Sequence, residues 1–264
     1  MSATMTDRHS AFTSVTEMPG HGSTAESLSM LVTRYTLAAE LAAGRDVLDI
    51  ACGPGMGLGM VAATAKSVVA GDYDPDMVAQ AAATYGDRLT IRRLDAMDLD
   101  FLAESFDLVL IMESLYFMPD PKQVIRNAAT VLRPGGKLLV VSANSEWTNF
   151  NPAPFSTRYL TLSEIAKEME TNGLTPDCRV GYEEQKKSLK GRILSGIRKF
   201  AVKMNLIPKT MGGKELLKRL MHGTLIPLPA ELKPTDAEAH MPEPVAPTFQ
   251  PVRHKVITII GTKP

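Results

Sequence analysis

The 264 residues are enough for one large α/β domain or two small ones, and a hydrophobic content of 44% can fill a sizeable core, which excludes a chain disordered throughout. Lys and Arg number 29 against 29 Asp and Glu, a balance that speaks against a dedicated nucleic-acid binder. Cys52 and Cys178 alone cannot build a disulfide framework or a thiolate metal cage, and no run approaches the roughly 18 apolar residues that span a bilayer. With no apolar signal core at the N-terminus, a cytoplasmic location is expected.

Residues 1–23, rich in Ser, Thr and Gly without a sustained apolar period, read as a mobile arm. From Thr24 to Ala43 the positions Leu28, Leu31, Val32, Tyr35, Ala38 and Leu41 recur at helical spacing, and Gly44 stands where a helix ends in a left-handed residue. Short apolar runs then alternate with helical segments: Val47–Ala51, Ser67–Gly71, Leu89–Leu94, Phe106–Met112 and Lys137–Ser142. Asp74 with Pro75, and Asp120 with Pro121, mark helix starts between them, with Gly86 and Gly135 as the expected stops. Continuous apolar strands alternating with helices predict a doubly wound, mostly parallel sheet covered on both faces, with ligands bound beyond the carboxyl ends of the strands.

A helix over Leu162–Thr171 has Thr161 and Glu164 at capping-box spacing and a stop at Gly173, and a weak strand is expected from Cys178 to Tyr182. The character then changes. Residues 185–222 hold eleven Lys or Arg against one acid, Glu215, with an apolar helical stripe through Leu189, Ile193, Ile197 and Phe200. Residues 225–251 contain seven prolines and read as an extended connection rather than packed structure. Lys255–Thr262 is a last strand. The organisation is thus an arm at 1–23, an α/β core at 24–184, an insert at 185–250 and a returning core strand at 251–264.

The most informative segment is VLDIACGPGMG, residues 47–57. A buried strand delivers Asp49 near its end, and Gly53 and Gly55 remove side chains so that backbone can approach a ligand. Nineteen residues beyond Gly53 a second strand ends in Asp72, a carboxylate able to take two ribose hydroxyls, so an adenosine-type ligand is implied. The dinucleotide pattern GxGxxG fails because Leu58 holds the third glycine position, and Gly57, Gly59 and Ala62 match GxGxxA too far past the strand. No Lys-Ser/Thr pair follows, so a P-loop is excluded. The third strand ends in Asp95-Ala96-Met97, where a carboxylate can take an adenine amino group between apolar neighbours.

LDIACGPG, GDYDPDM, LDAMDL, FDLVLIMESL and LRPGGKLLVVS, in this order over residues 47–142, resemble the class I S-adenosylmethionine-dependent methyltransferases. The likeness extends more loosely to the helix at 24–43 and to the last strand; Ala51 departs from it, standing where many members carry glycine. The resemblance implies S-adenosyl-L-methionine as cofactor and a Rossmann-like, seven-stranded sheet whose final strand runs antiparallel. It also implies roles. Asp49 would orient the methionine end, Gly53 and Gly55 would let the loop, with Ala51, pass beneath the cofactor, and Asp72 would hold the ribose. Tyr73 would cover one adenine face, Asp95 and the Ala96 backbone would read the adenine edge beside Met97, and Met112 would turn its carbonyl toward the cofactor amino group.

Methyl transfer from a sulfonium needs alignment of donor and acceptor, and a base only when the acceptor carries a proton to lose. Many relatives place a histidine after the fourth strand; here that position is Phe117, leaving Glu113 and Tyr116 as the candidate catalytic groups. Glu17-Met18-Pro19-Gly20 with Arg34-Tyr35 resembles the N-terminal region of methyltransferases of bacterial polysaccharide and sugar-nucleotide pathways, in which such a segment covers the active site. Arg34 could then pair with the cofactor carboxylate or with an acidic acceptor. The expected activity is methyl transfer to O, N or C of a small-molecule acceptor, a sugar or a glycosylated or lipid-linked intermediate first. Three readings of the basic insert stay open: peripheral contact with an anionic membrane through 186–219, capture of acceptor phosphates, or a packed element with a solvated basic face. His222 reads as a surface residue. An NAD(P)-dependent oxidoreductase or epimerase is opposed by the failed glycine pattern, and a non-catalytic cofactor-binding relative would suit the missing histidine. Oligomeric state is not legible.

Overall fold

Capping chemistry sets the helix limits. In the computed structural model, which describes residues 16–101, 103–184 and 225–264, Thr24 accepts the Ser27 amide at the start of α1 (Ala25–Ala42). Asp74 accepts the Asp76 amide ahead of α3 (Pro75–Tyr85), and Asp120 accepts those of Lys122 and Gln123 ahead of α4 (Pro121–Val131). The Thr161–Glu164 capping box opens α5 (Leu162–Thr171) with both of its hydrogen bonds formed. A short α2 (Leu58–Ala62) follows the glycine-rich turn. Gly86, at φ +51°, closes α3 as expected. Gly135 does not close α4: the helix stops at Val131 because Pro134 drives the residue before it out of helical backbone, and Gly135, at φ +76°, turns the chain at the start of the next strand.

The strands are β1 (Gly22–Ser23), β2 (Asp46–Asp49), β3 (Ser67–Asp72), β4 (Thr90–Arg93), β5 (Phe106–Met112), β6 (Leu132–Ala143), β7 (Thr175–Glu183), β8 (Ile226–Pro227), β9 (Glu243–Val245) and β10 (His254–Thr262). The main sheet runs β4-β3-β2-β5-β6-β10-β7-β9. β4, β3, β2, β5 and β6 are parallel, whereas β10 lies antiparallel between β6 and β7. The seven expected strands are present, and β9 adds an eighth at the edge. Side chains alternate between two cores. Val109 and Ile111 of β5 pack with Val124 and Ile125 of α4 and Ile165 of α5, while Leu108 and Leu110 pack with Leu28, Leu31 and Val32 of α1. Each fully buried aliphatic side chain contributes about 1.5–3 kcal/mol, which fixes the sheet and the strand ends that carry the site.

Two expectations are corrected. Residues 16–23, read as part of a mobile arm, are folded onto the body: β1 pairs antiparallel with β8, the Gly20 amide donates to the Leu228 carbonyl at 2.8 Å, and Met18 is buried. Residues 225–251, read as an unpacked connection, bury Leu228 and Leu232 and supply both β8 and β9. Proline is compatible with strands at a sheet edge, where no neighbour needs its missing N–H, and Pro244 sits in edge strand β9 opposite Arg179. The first fifteen residues, the basic stretch with its three readings, and His222 lie outside the described residues. Among the described residues no helix is long and apolar enough to cross a membrane.

Candidate active site

β2 is flanked by β3 and β5, so the connections leaving β2 and β5 run to opposite faces and part over the carboxyl edge of the sheet. A cavity of about 630 Å³ occupies that crevice. Ala51, Gly53, Asp72, Tyr73, Asp95, Ala96, Met97, Met112, Glu113, Tyr116 and Arg34 all line it. Asp49 and Gly55, the other two predicted site residues, do not.

The turn after β2 shows why. Gly53, at φ +55°, brings its amide to Asp72 Oδ2 at 2.9 Å and faces the cavity. Gly55, at φ +78°, faces away: a Cβ there would stand 3.0 Å from Ala81 Cβ and 3.3 Å from the Tyr85 ring, so this glycine seats the turn on α3 instead of yielding to a ligand. Its carbonyl accepts the Tyr85 hydroxyl at 2.8 Å. Gly57 and Gly59 likewise make room for protein. A Cβ at Gly57 would lie 2.2 Å from the Tyr35 ring, and one at Gly59 would lie 2.1 Å from Glu231 Oε1. The buried ring can yield only by repacking toward the cavity it lines, whereas the Glu231 carboxylate can swing into solvent. Gly57→Ala is therefore expected to cost about 1–3 kcal/mol in urea unfolding, and Gly59→Ala to stay within about 0.5 kcal/mol of the parent.

Three carboxylates mark the β2–β4 end. Asp72 accepts the Gly53 amide through Oδ2 and the Asp74 amide, at 3.0 Å, through Oδ1; burial raises its proton affinity and these amides hold it back. Asp49 is 1% exposed, and its Oδ2 is buried without a hydrogen-bond partner among the described residues. Burial pushes its carboxyl up to about 7, against the Ala51 amide, with the nearby Asp72 charge adding to the shift. Asp95 accepts the Met97 amide at 2.8 Å, and Asn127 of α4 holds the Ala96 and Met97 carbonyls at 3.0 and 2.9 Å, which fixes this loop. Tyr73, 41% exposed, stands at the rim. An adenosine-bearing sulfonium compound fits this end: glycine and alanine leave backbone open to it, and a buried carboxylate oxygen still lacks a partner.

At the end of β5 the chemistry changes. Glu113 takes φ +53°, a conformation unusual for glutamate, and is held there by its amide bond to the Val141 carbonyl at 2.8 Å. Tyr116 donates its hydroxyl to Glu113 Oε2 at 2.8 Å and stacks on Tyr159 with centroids 4.3 Å apart. Burial raises the Glu113 carboxyl above its ordinary range, opposed by the Arg34 guanidinium and the Tyr116 hydroxyl. Arg34 pairs with Glu17 at 2.8 Å, so the folded N-terminal segment reaches the cavity through the residue pair that the sequence had set apart. Tyr182, at the end of β7, and His240, in the C-terminal part of the insert, also line the cavity. No spacing in the sequence connects either of them to the motifs.

Residues 48–140 match a family profile described as a methyltransferase domain. The chain is 34% identical over 153 residues to a Mycolicibacterium smegmatis protein named "Probable S-adenosylmethionine-dependent methyltransferase", covering 56% of this chain and 58% of that one. It is 38% identical over 119 residues to the 27-O-demethylrifamycin SV methyltransferase of Amycolatopsis mediterranei, covering 43% of this chain and 44% of that one. The matches thus span about half the length of these relatives. The fold is shared with the YcgJ protein of Bacillus subtilis, at a TM-score of 0.56 and 17% identity over 90% of this chain and 98% of that one. Motif order, the sheet with its antiparallel last strand and these matches agree: residues 48–140 carry a methyltransferase domain similar to those of the class I S-adenosylmethionine-dependent enzymes.

Proposed function

We propose that the protein transfers the methyl group of S-adenosylmethionine to a hydroxyl oxygen of a small molecule. The observation that carries this reading is a single cavity running from the backbone-anchored Asp72 carboxylate to the hydrogen-bonded Glu113–Tyr116 pair. Asp72, Tyr73 and the Asp95–Met97 loop would hold the nucleoside, with Asp49 behind them toward its cationic end. Bound there, the cofactor supplies an electrophilic methyl on sulfur. Glu113 would face the acceptor hydroxyl and take its proton as the oxygen–carbon bond forms, and Tyr116 would keep that carboxylate in place. A carboxyl lifted above its ordinary range is better matched to this task than a free one. The rifamycin relative's name specifies an oxygen acceptor, which supports the choice of oxygen over nitrogen or carbon.

The test is transfer of labelled methyl groups from S-adenosylmethionine to the small-molecule fraction of a cell extract, with Glu113→Gln in parallel. The substitution is expected to lower kcat by about 10²–10⁴-fold while S-adenosylhomocysteine still binds. A rate unchanged in Glu113→Gln would remove the base and point to an amine that arrives already neutral.

A further inference from the structure

One side of the cavity lies beyond the residues proposed above to hold the cofactor. Past Met112 its floor crosses β6, β10 and β7, three strand spacings or about 14 Å. Ala143, Val256 and Gly181 form one transverse row there, because Val256 faces Ala143 on one side and Gly181 on the other. Met30 and Pro242 add further apolar wall. Among the described residues the two Lys or Arg side chains lining the cavity are already paired: Arg34 with Glu17 at 2.8 Å and Lys255 with both Glu26 oxygens at 2.6 Å. Neither is free to receive a phosphate.

The hydroxyls near the outer end are committed to the scaffold. The Tyr182 hydroxyl bonds Ser29 at 2.8 Å and Thr33 at 2.7 Å, Ser29 donates to the Glu238 carbonyl at 2.6 Å, and Thr33 accepts the His240 amide at 2.9 Å. These bonds clamp residues 238–240 against α1 and β7. What they leave available is the His240 imidazole, edge-on to Tyr182 with centroids 5.9 Å apart and with neither ring nitrogen bonded to a described residue.

We propose that this side of the cavity is the acceptor site, that it takes an uncharged, mainly apolar ring compound with a second oxygen remote from the methylated one, and that His240 determines specificity by hydrogen bonding that second oxygen. This rests on the methyl-transfer reading above and names its acceptor class. A phosphate-bearing acceptor such as a nucleotide-linked sugar would leave its charge unpaired against Ala143, Val256 and Pro242.

The probe is 4,4′-dihydroxybiphenyl, with 4-hydroxybiphenyl lacking the second oxygen and UDP-glucose as the phosphate-bearing comparator, each titrated calorimetrically into protein saturated with S-adenosylhomocysteine. Gly181 has no positive φ and a Cβ there would meet only Pro242 at 3.8 Å, so Gly181→Leu projects into the lobe from sound backbone. It should weaken both biphenyls by about tenfold or more and leave S-adenosylhomocysteine within about twofold. His240→Phe should weaken the dihydroxy probe about tenfold, leave the monohydroxy probe unchanged, and be partly rescued by His240→Gln. Should Gly181→Leu fail to fold, the His240 variants decide alone, since His240 lies on an exposed segment. Tighter binding of UDP-glucose than of either biphenyl, or biphenyl binding that is absent or indifferent to every variant, would overturn the proposal. Failure of S-adenosylhomocysteine to bind the parent protein would instead overturn the function on which it rests.

Discussion

Asp72→Ala is expected to lower the affinity for S-adenosylhomocysteine by about 30- to 1000-fold, or roughly 2–4 kcal/mol, the loss of two hydrogen bonds from ribose hydroxyls to a charged acceptor. The same carboxylate orders the site before any ligand arrives, since its two oxygens receive the Gly53 and Asp74 amides. Removing it therefore loosens the cradle as well as the contact, and the measured loss should fall in the upper half of that range. Asp72→Asn separates the two effects. Its amide keeps one acceptor oxygen for the backbone but turns a donor toward another donor, so it should bind better than alanine and worse than the parent. Calorimetric titration reads affinity, and a thermal melt of each variant reads the fold. Affinity unchanged in Asp72→Ala would put the nucleoside somewhere other than the β3 end.

The second large effect is on stability, and its sign follows from Asp49. Its carboxyl stands at about 7 in the folded protein against 3.8 for the unperturbed group, so the folded state holds the proton through a window in which the unfolded chain has released it. Stability is then fully present below about pH 4 and drains away as pH rises toward 7, by about 1.4 kcal/mol per unit and about 4 kcal/mol in all. Asp49→Asn removes the titration. The unliganded variant should be flatter than the parent between pH 5 and 7 and more stable at pH 8, by an amount of that order in urea unfolding. Asp46 and Asp107, whose carboxyls lie below the usual range, titrate with the opposite sign in both proteins and cancel in the comparison. A cationic ligand should reverse the balance at pH 8, because an ionised Asp49 is then paired, and the variant should bind S-adenosylmethionine more weakly there. Parallel pH profiles for the parent and Asp49→Asn would show that water reaches this carboxylate.

The proposed donor side of the cavity was legible because each of its lining residues ends or follows a strand within a few positions. Asp72 ends β3, Asp95 comes two residues after β4, and Met112 ends β5, so an apolar run and the polar residue just past it suffice to find them. The proposed acceptor side has no such locality. Glu17, Tyr182, His240 and Lys255 converge from separate segments, Glu17 from more than a hundred residues before the other three, and no short-range pattern encodes their meeting. Glycine gave a mixed signal for a related reason. Gly53 opens backbone to the cavity, whereas Gly55 and Gly57 open it to the Tyr85 and Tyr35 rings, and the letter is the same in both cases. The prolines of 225–251 misled because composition registers a missing donor without registering that an edge strand does not need it.

β10 lies inside the sheet, between β6 and β7, although it is the last strand in the sequence. During synthesis the β6 edge therefore waits for a partner while more than a hundred further residues are made, and β7 lacks its inner strand neighbour until then. Such late, long-range closure is slow and leaves bare hydrogen-bonding edges open to wrong pairing. Lys255, Val256 and Thr258 belong to that closing strand, so a nascent chain can assemble the strand ends bearing Asp72 and Asp95 well before it possesses the far floor of the cavity.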